Sequence, residues 1–423
     1  MENAFDKLWL VVAAVGGIIV VAIFIREFLN RIGVPALVGY LLLGIALSAA
    51  HREFSILNGD ALRVFEFLGG IGVFCLLFRV GLESNIDKLL AQLGRAVWIW
   101  FGNVGVSAVL GYVAARYLLG YTLVPSLFVA VALTATSLAV CLAVWRDSNA
   151  LGTPTGDLLI DVAELDDISG IALMMVLFAL APVLMRGDGA IWANIGETTA
   201  WLAVKAGLFL VFCVYFTRYF EAPITNFFTR FRPSPDPMLL MVGIAVVIAA
   251  AADGLGFSLP VGALFAGFVF SRDPRAIKVD ASFASLYELF TPFFFIWIGL
   301  SIDVSVLGVG TLGAVVILAA AILGKVVGTL LPAWPMVGAS AALALGVSMV
   351  PRAEIAMVIV AEGRRLGNWA MPEELYGAMI LVAAATCLFG PLLAAGALRR
   401  AGLAGTGHNS GGQAVPRENG TGD

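Results

Sequence analysis

The chain has 423 residues, of which 61% are hydrophobic and only 13% charged, where an ordinary soluble domain carries about 25% charged residues. With a mean hydropathy of +0.97, this excludes a water-soluble enzyme or nucleic-acid binder and points to an all-α polytopic membrane protein. The apolar runs are continuous rather than alternating, which argues against a β-barrel, and the net charge of −4 matters less than where each charge is placed.

Thirteen spans are expected at 8–26, 35–50, 62–82, 95–118, 123–145, 157–182, 198–219, 238–255, 258–271, 285–301, 305–331, 338–362 and 375–398, most near the length needed to cross a bilayer and several, notably 258–271, shorter. The first run lacks a small-residue cleavage site before a soluble domain and reads as a mature transmembrane helix. The stretch from Gly402 to Asp423 is rich in Gly and polar residues and reads as a disordered tail, leaving residues 1–401 as the membrane domain. The cysteines (Cys75, Cys141, Cys213, Cys387) lie far apart in apolar runs and suggest neither a metal site nor disulfides. His51 and His408 are too peripheral for a haem or zinc site, and no cofactor is expected. With the N-terminus outside, the inner loops hold fourteen Lys and Arg and the outer loops seven. That excess sets the orientation as N-out and C-in.

Two halves echo each other. IGVPALVGYLLLGIALS (Ile32–Ser48) has a counterpart in FSLPVGALFAGFVFS (Phe257–Ser271), each with a proline at the start of a Gly-rich span. The next span closes with GLESNID (Gly81–Asp87) in one half and GLSID (Gly299–Asp303) in the other. Six spans on either side of a linking seventh place the halves in opposite orientations, an inverted-topology repeat.

The sixth span carries Asp157, Asp161, Glu164, Asp166 and Asp167. Ionisable groups at membrane depth are costly and usually functional. Helical spacing puts Asp157, Asp161, Glu164 and Asp167 on one drifting stripe, with Asp166 about 100° from Asp167. The stripe is expected to form a funnel (Asp157, Asp161, Glu164) leading to Asp167, while Asp166 faces another partner. Candidate cations at depth are Lys325, midway through the eleventh span, with Arg79, Lys205 and Arg352. Arg352 and Glu354 are two residues apart and read as structural charges bonded to other groups. The fifth span contributes the hydroxyls of Thr134, Thr136 and Ser137, and Pro351 interrupts the twelfth, its counterpart in the repeat. Two broken helices near the midplane present opposed half-helix dipoles beside the carboxylates.

At these residues the sequence resembles the monovalent cation/proton antiporter superfamily, most closely its NapA-type bacterial sodium/proton antiporters, related to NhaA. The resemblance runs in order through RIGVPALVGYLLLGIAL, LLFRVGLE, LTATS, ELDDISGI, LPVGALFAGF, FFFIWIGLSID, LGKVVG and PRAEIAM. It implies a homodimer whose protomers each hold dimerisation helices and a six-helix core, with two crossed, partly unwound helices at Thr134–Ser137 and Val350–Pro351. It makes Asp167 the main carrier of the transported sodium ion and proton, and pairs Asp166 with Lys325. An Asp-Asp pair goes with electrogenic exchange. Arg79, where the family usually has a small or apolar residue, Glu164 and Ala353 depart from its pattern. The expected function is exchange of protons for sodium or lithium across the bacterial cytoplasmic (inner) membrane, among membrane lipids and without nucleic acid. Potassium/proton exchange and an organic-anion symporter on the same architecture are the alternatives.

Overall fold

The computed structural model describes residues 8–83, 86–186, 237–255, 258–271, 276–302 and 311–404, with scattered positions in 200–219. All regular structure among them is helical. In chain order the helices are α1 (Leu8–Arg31), α2 (Ala36–Phe54), α3 (Gly59–Glu83), α4 (Ile86–Val113), α5 (Leu123–Ala132), α6 (Leu138–Asp147), α7 (Pro154–Arg186), α8 (Pro237–Gly254), α9 (Leu259–Phe270), α10 (Ala276–Leu300), α11 (Thr311–Val337), α12 (Ala339–Ser348), α13 (Glu354–Leu366) and α14 (Glu373–Arg400). Eight are long and apolar enough to cross a membrane, and α5, α8, α9 and α12 supply shorter apolar helices. Large apolar side chains such as Phe24, Trp98, Val247 and Leu392 stay exposed, as expected where lipid takes the place of water.

The described helices overlap twelve of the thirteen expected spans, with informative differences. Spans 123–145 and 338–362 are each two helices separated by an irregular stretch, 133–137 and 349–353. The eleventh span continues past Pro332 and Pro335 to Val337, further than its prolines suggest, because neighbouring helices in lipid re-satisfy the freed backbone groups. Span 198–219 and the tail from Gly402 lie largely outside the described residues.

Close glycine contacts join the segments that the sequence matches between its two halves. A Cβ placed on Gly44 of α2 lies 2.9 Å from the Cα of Gly299 in α10, and the reverse placement is equally close. A Cβ on Gly81 of α3 lies 2.8 Å from the Cα of Gly267 in α9. Each pair joins the second element of one half to the third of the other. Gly102 of α4 and Gly328 of α11 meet in the same reciprocal way, each facing the other's carbonyl. Small residues at these crossings let backbones approach and substitute for the missing hydrophobic drive between helices in lipid.

The packing sorts into two bodies. Helices α1, α2, α3, α8, α9 and α10 pack mainly on one another. So do α4, α5, α6, α7, α11, α12, α13 and α14, with α14 also reaching α2. In the second body α4 lies along α11 and α7, and α5 packs on α7 and α13. The two irregular stretches are therefore held at its centre.

Candidate functional site

The break between α5 and α6 leaves orphan carbonyls behind α5 and orphan N–H groups ahead of α6, and the break between α12 and α13 does the same. The two segments cross, with the Ser137 N–H donating to the Pro351 carbonyl at 2.9 Å. Cys141 Sγ donates to the Ser348 carbonyl at 2.8 Å, and Trp145 Nε1 to Ser348 Oγ at 2.8 Å. Helix α14 closes the crossing from behind. Its Thr386 Oγ1 accepts from the Arg352 N–H at 3.1 Å, and Cys387 Sγ donates to the Arg352 carbonyl at 3.0 Å.

Charges are distributed as the half-helix dipoles dictate, with cations at carbonyl ends and anions at N–H ends. Lys325 Nζ donates to the Thr134 carbonyl at 2.5 Å, just beyond the C-terminal end of α5. Arg352, 1% exposed, donates to the Ala135 carbonyl and, at 3.4 Å, to that of Ala321. Glu354 opens α13 and accepts from the hydroxyl of Ser137, the residue preceding α6, at 3.0 Å.

Asp166 and Lys325 are both fully buried and form an ion pair of 2.6 Å. The same Oδ2 atom of Asp166 also accepts from Asn103 Nδ2 at 2.6 Å and from Thr136 Oγ1 at 2.7 Å. A second layer holds the turn of α7 in place: Ser169 Oγ donates to the Asp166 carbonyl at 3.1 Å and accepts from Trp100 Nε1 at 3.0 Å. Asp166 is thus locked by three donors from α4, the α5–α6 break and α11.

Asp167, its neighbour, points elsewhere. It lines a cavity of about 530 Å³ together with Glu164, Glu354, Arg79, Arg146 and Tyr287. Its Oδ1 atom is buried and accepts no hydrogen bond from the described residues. Leu76, Arg79 and Val80 of α3 and Tyr287 of α10 form one wall, and residues of α6, α7 and α13 the other. The cavity therefore sits between the two bodies. A carboxylate that lines such a cavity is reachable by a cation or a proton from water, whereas Asp166 and Lys325 are not among the residues that line it.

The expected site residues are placed unevenly. Asp166, Lys325 and Thr136 come together as one cluster, and Glu164 and Asp167 share the cavity. Thr134 contributes its carbonyl, while its hydroxyl donates to Val131 of its own helix at 2.7 Å. Ser137 serves Glu354 rather than the aspartates. Asp157 is exposed and Asp161 half-buried, and neither is among the residues lining the cavity. Arg352 bonds to backbone carbonyls, and Glu354 also faces the cavity. Lys205 lies apart from the aspartates, donating to the Leu255 carbonyl at 3.2 Å. Asn103 was missed by the sequence reading. Its signal was a carboxamide inside an otherwise apolar run, FGNVGV.

A family profile described as sodium/hydrogen exchanger, transmembrane, matches residues 17–395. The high-affinity Na(+)/H(+) antiporter NhaS3 of Synechocystis is 27% identical over 84% of this chain and 76% of that protein. The chloroplastic K(+) efflux antiporter 1 of Arabidopsis thaliana is 26% identical over 93% of this chain, which corresponds to 32% of that longer protein. The solved structure of the sodium proton antiporter MjNhaP1 from Methanocaldococcus jannaschii shares the fold, with a TM-score of 0.70 and 18% identity over 94% of this chain and 98% of that one. The chain is a multi-pass membrane protein and a member of the sodium/hydrogen exchanger family.

Proposed function

We propose that this chain is a NapA-type secondary antiporter that exchanges protons for sodium or lithium ions across the cytoplasmic membrane, with Asp167 as the carrier. The observation that carries this reading is the contrast within one turn of α7. Asp166 is fully buried and tied to Lys325, Asn103 and Thr136, while Asp167 faces a cavity lined by further carboxylates. One carboxylate that binds either a metal cation or a proton, never both, couples the two fluxes by competition alone. Alternating access follows if the body carrying Asp167 rocks against the other. In this reading there are thirteen spans with the N-terminus outside and the C-terminus inside, and a homodimer built through the body that lacks the aspartates. The exchange is electrogenic, with Lys325 releasing a proton when the cation binds. Potassium is the second reading for the ion, favoured by the similarity to a potassium efflux antiporter.

The test is proton flux in proteoliposomes against a panel of sodium, lithium and potassium salts. Sodium or lithium is expected to drive it, and Asp167→Asn to abolish it in a protein that remains folded. Sodium-dependent proton flux persisting in Asp167→Asn would remove Asp167 from its role. Flux driven by potassium alone would replace the first ion assignment with the second.

A further inference from the structure

The exchange proposed above gives Arg79 no role, yet the residue occupies a costly position. It follows Leu76, Leu77 and Phe78, each at most 1% exposed, in the apolar run of α3, and is itself half-buried. A charge placed there needs a compensating environment. Part of it is the ring of Tyr287 on α10, whose centroid lies 4.5 Å from the guanidinium carbon, well within cation–π range. Both residues line the cavity from the wall that lacks the aspartates, and the wall carrying Glu164, Asp167 and Glu354 faces them. Arg146 lines the same cavity but is exposed, where water and counter-ions screen it.

We propose that Arg79 is a specificity-determining residue of the exchange: a tethered cation, held on its wall by Tyr287, that opposes the transported cation and sets the concentration at which the site fills. The inference rests on the antiporter reading above. A positive charge across the cavity lowers the local cation concentration and weakens binding at the carboxylates opposite. For two unit charges roughly 10 Å apart, effective dielectric constants of ~20–80 change binding by a factor of roughly 2 to 15. The same opposition speeds release of the cation into this cavity. Because Arg79 and Asp167 belong to different bodies, the effect is strongest where those bodies face each other across the cavity.

The experiment compares wild type, Arg79→Gln, Arg79→Lys and Tyr287→Leu. Cation-driven proton flux in proteoliposomes gives one half-saturating concentration, and cation-dependent thermal stabilisation of the full chain in detergent gives a second, independent one. Sodium is the probe, or whichever of lithium and potassium drives the wild type. No flux with any of the three in wild type would sink the antiporter reading itself. With an active wild type, Arg79→Gln is expected to lower half-saturation roughly fivefold in both measurements, and Arg79→Lys to restore the wild-type value to within about twofold. Tyr287→Leu keeps the charge but removes the ring that holds it back, so half-saturation rises. An unchanged or raised value in Arg79→Gln, or an equal fall in Arg79→Lys, overturns the proposal. Should Arg79→Gln fail to fold, Tyr287→Leu decides, and an unchanged or lowered value there overturns it equally.

Discussion

Two adjacent carboxylates serve different ends because of which side chains reach them. Asp166 meets an ammonium, a carboxamide and a hydroxyl within 2.6–2.7 Å, a set of donors that stabilises its charge. Removing one member of a buried pair leaves the other charge uncompensated and costs about 3–5 kcal/mol. Lys325→Ala is therefore expected to lower the thermal unfolding temperature of the purified protein sharply. Adding Asp166→Asn to the same chain should recover part of the loss, since the uncompensated charge then disappears. A Lys325→Ala protein as stable as wild type would mean that the pair contributes nothing net. Asp157 and Asp161 lie outside the cavity, toward the start of α7, so their effect on a cation is long-range and screened by salt. Asp161→Asn should raise the half-saturating sodium concentration at low ionic strength and match wild type at high ionic strength. A loss of maximal rate at both ionic strengths would instead place Asp161 in the site or the fold.

At the scale of helices, backbone proximity matters more than side-chain size. A Cβ on Gly81 would run into the Leu264 carbonyl and lie 2.8 Å from the Cα of Gly267. Backbone atoms of a packed helix have little room to yield, and overpacking of this kind costs typically 1–3 kcal/mol. Gly70, in the same helix, has nothing within 4 Å of its Cβ position. Gly70→Ala should be neutral or stabilising by up to ~1 kcal/mol through helix propensity, while Gly81→Ala destabilises. Equal thermal shifts for the two would refute the tight α3–α9 crossing. Much of this level was legible in the sequence. The matched Gly-rich segments flagged the helices that cross, and Pro351 marked one of the breaks, because a proline removes a backbone donor. The other break, at 133–137, contains no proline or glycine. It was expected only from its place opposite Pro351 in the repeat and from the family resemblance, and what holds it open are long-range bonds that a linear reading does not contain, from Lys325 to Thr134, from Arg352 to Ala135 and from Ser137 to Pro351. For the same reason Asn103 escaped notice, since its partner lies 63 residues away, and Thr134 was credited with a hydroxyl when it offers a carbonyl. The acidic residues themselves were easy to find, being rare in so apolar a chain.

At the scale of the whole molecule, the cavity lies where the two bodies meet, and the question is how much charge crosses when one moves against the other. Asp166, Asp167, Lys325 and Arg352 lie in a single body, so in the proposed rocking motion their net charge would travel with it. If Lys325 gives up its proton when the cation binds, that body carries a different charge in each direction, and one cation returns for two protons. Moving one elementary charge through 100 mV is worth about 2.3 kcal/mol, enough to bias the exchange measurably. Sodium-driven proton flux by wild type in proteoliposomes should therefore respond to an imposed membrane potential. The Lys325→Gln variant no longer has that proton to release. It is expected either to lose exchange or to continue without voltage dependence. A wild type indifferent to potential would make the exchange electroneutral. A Lys325→Gln variant with undiminished voltage dependence would show that the moving charge resides on Asp167 and its cation rather than on the buried lysine.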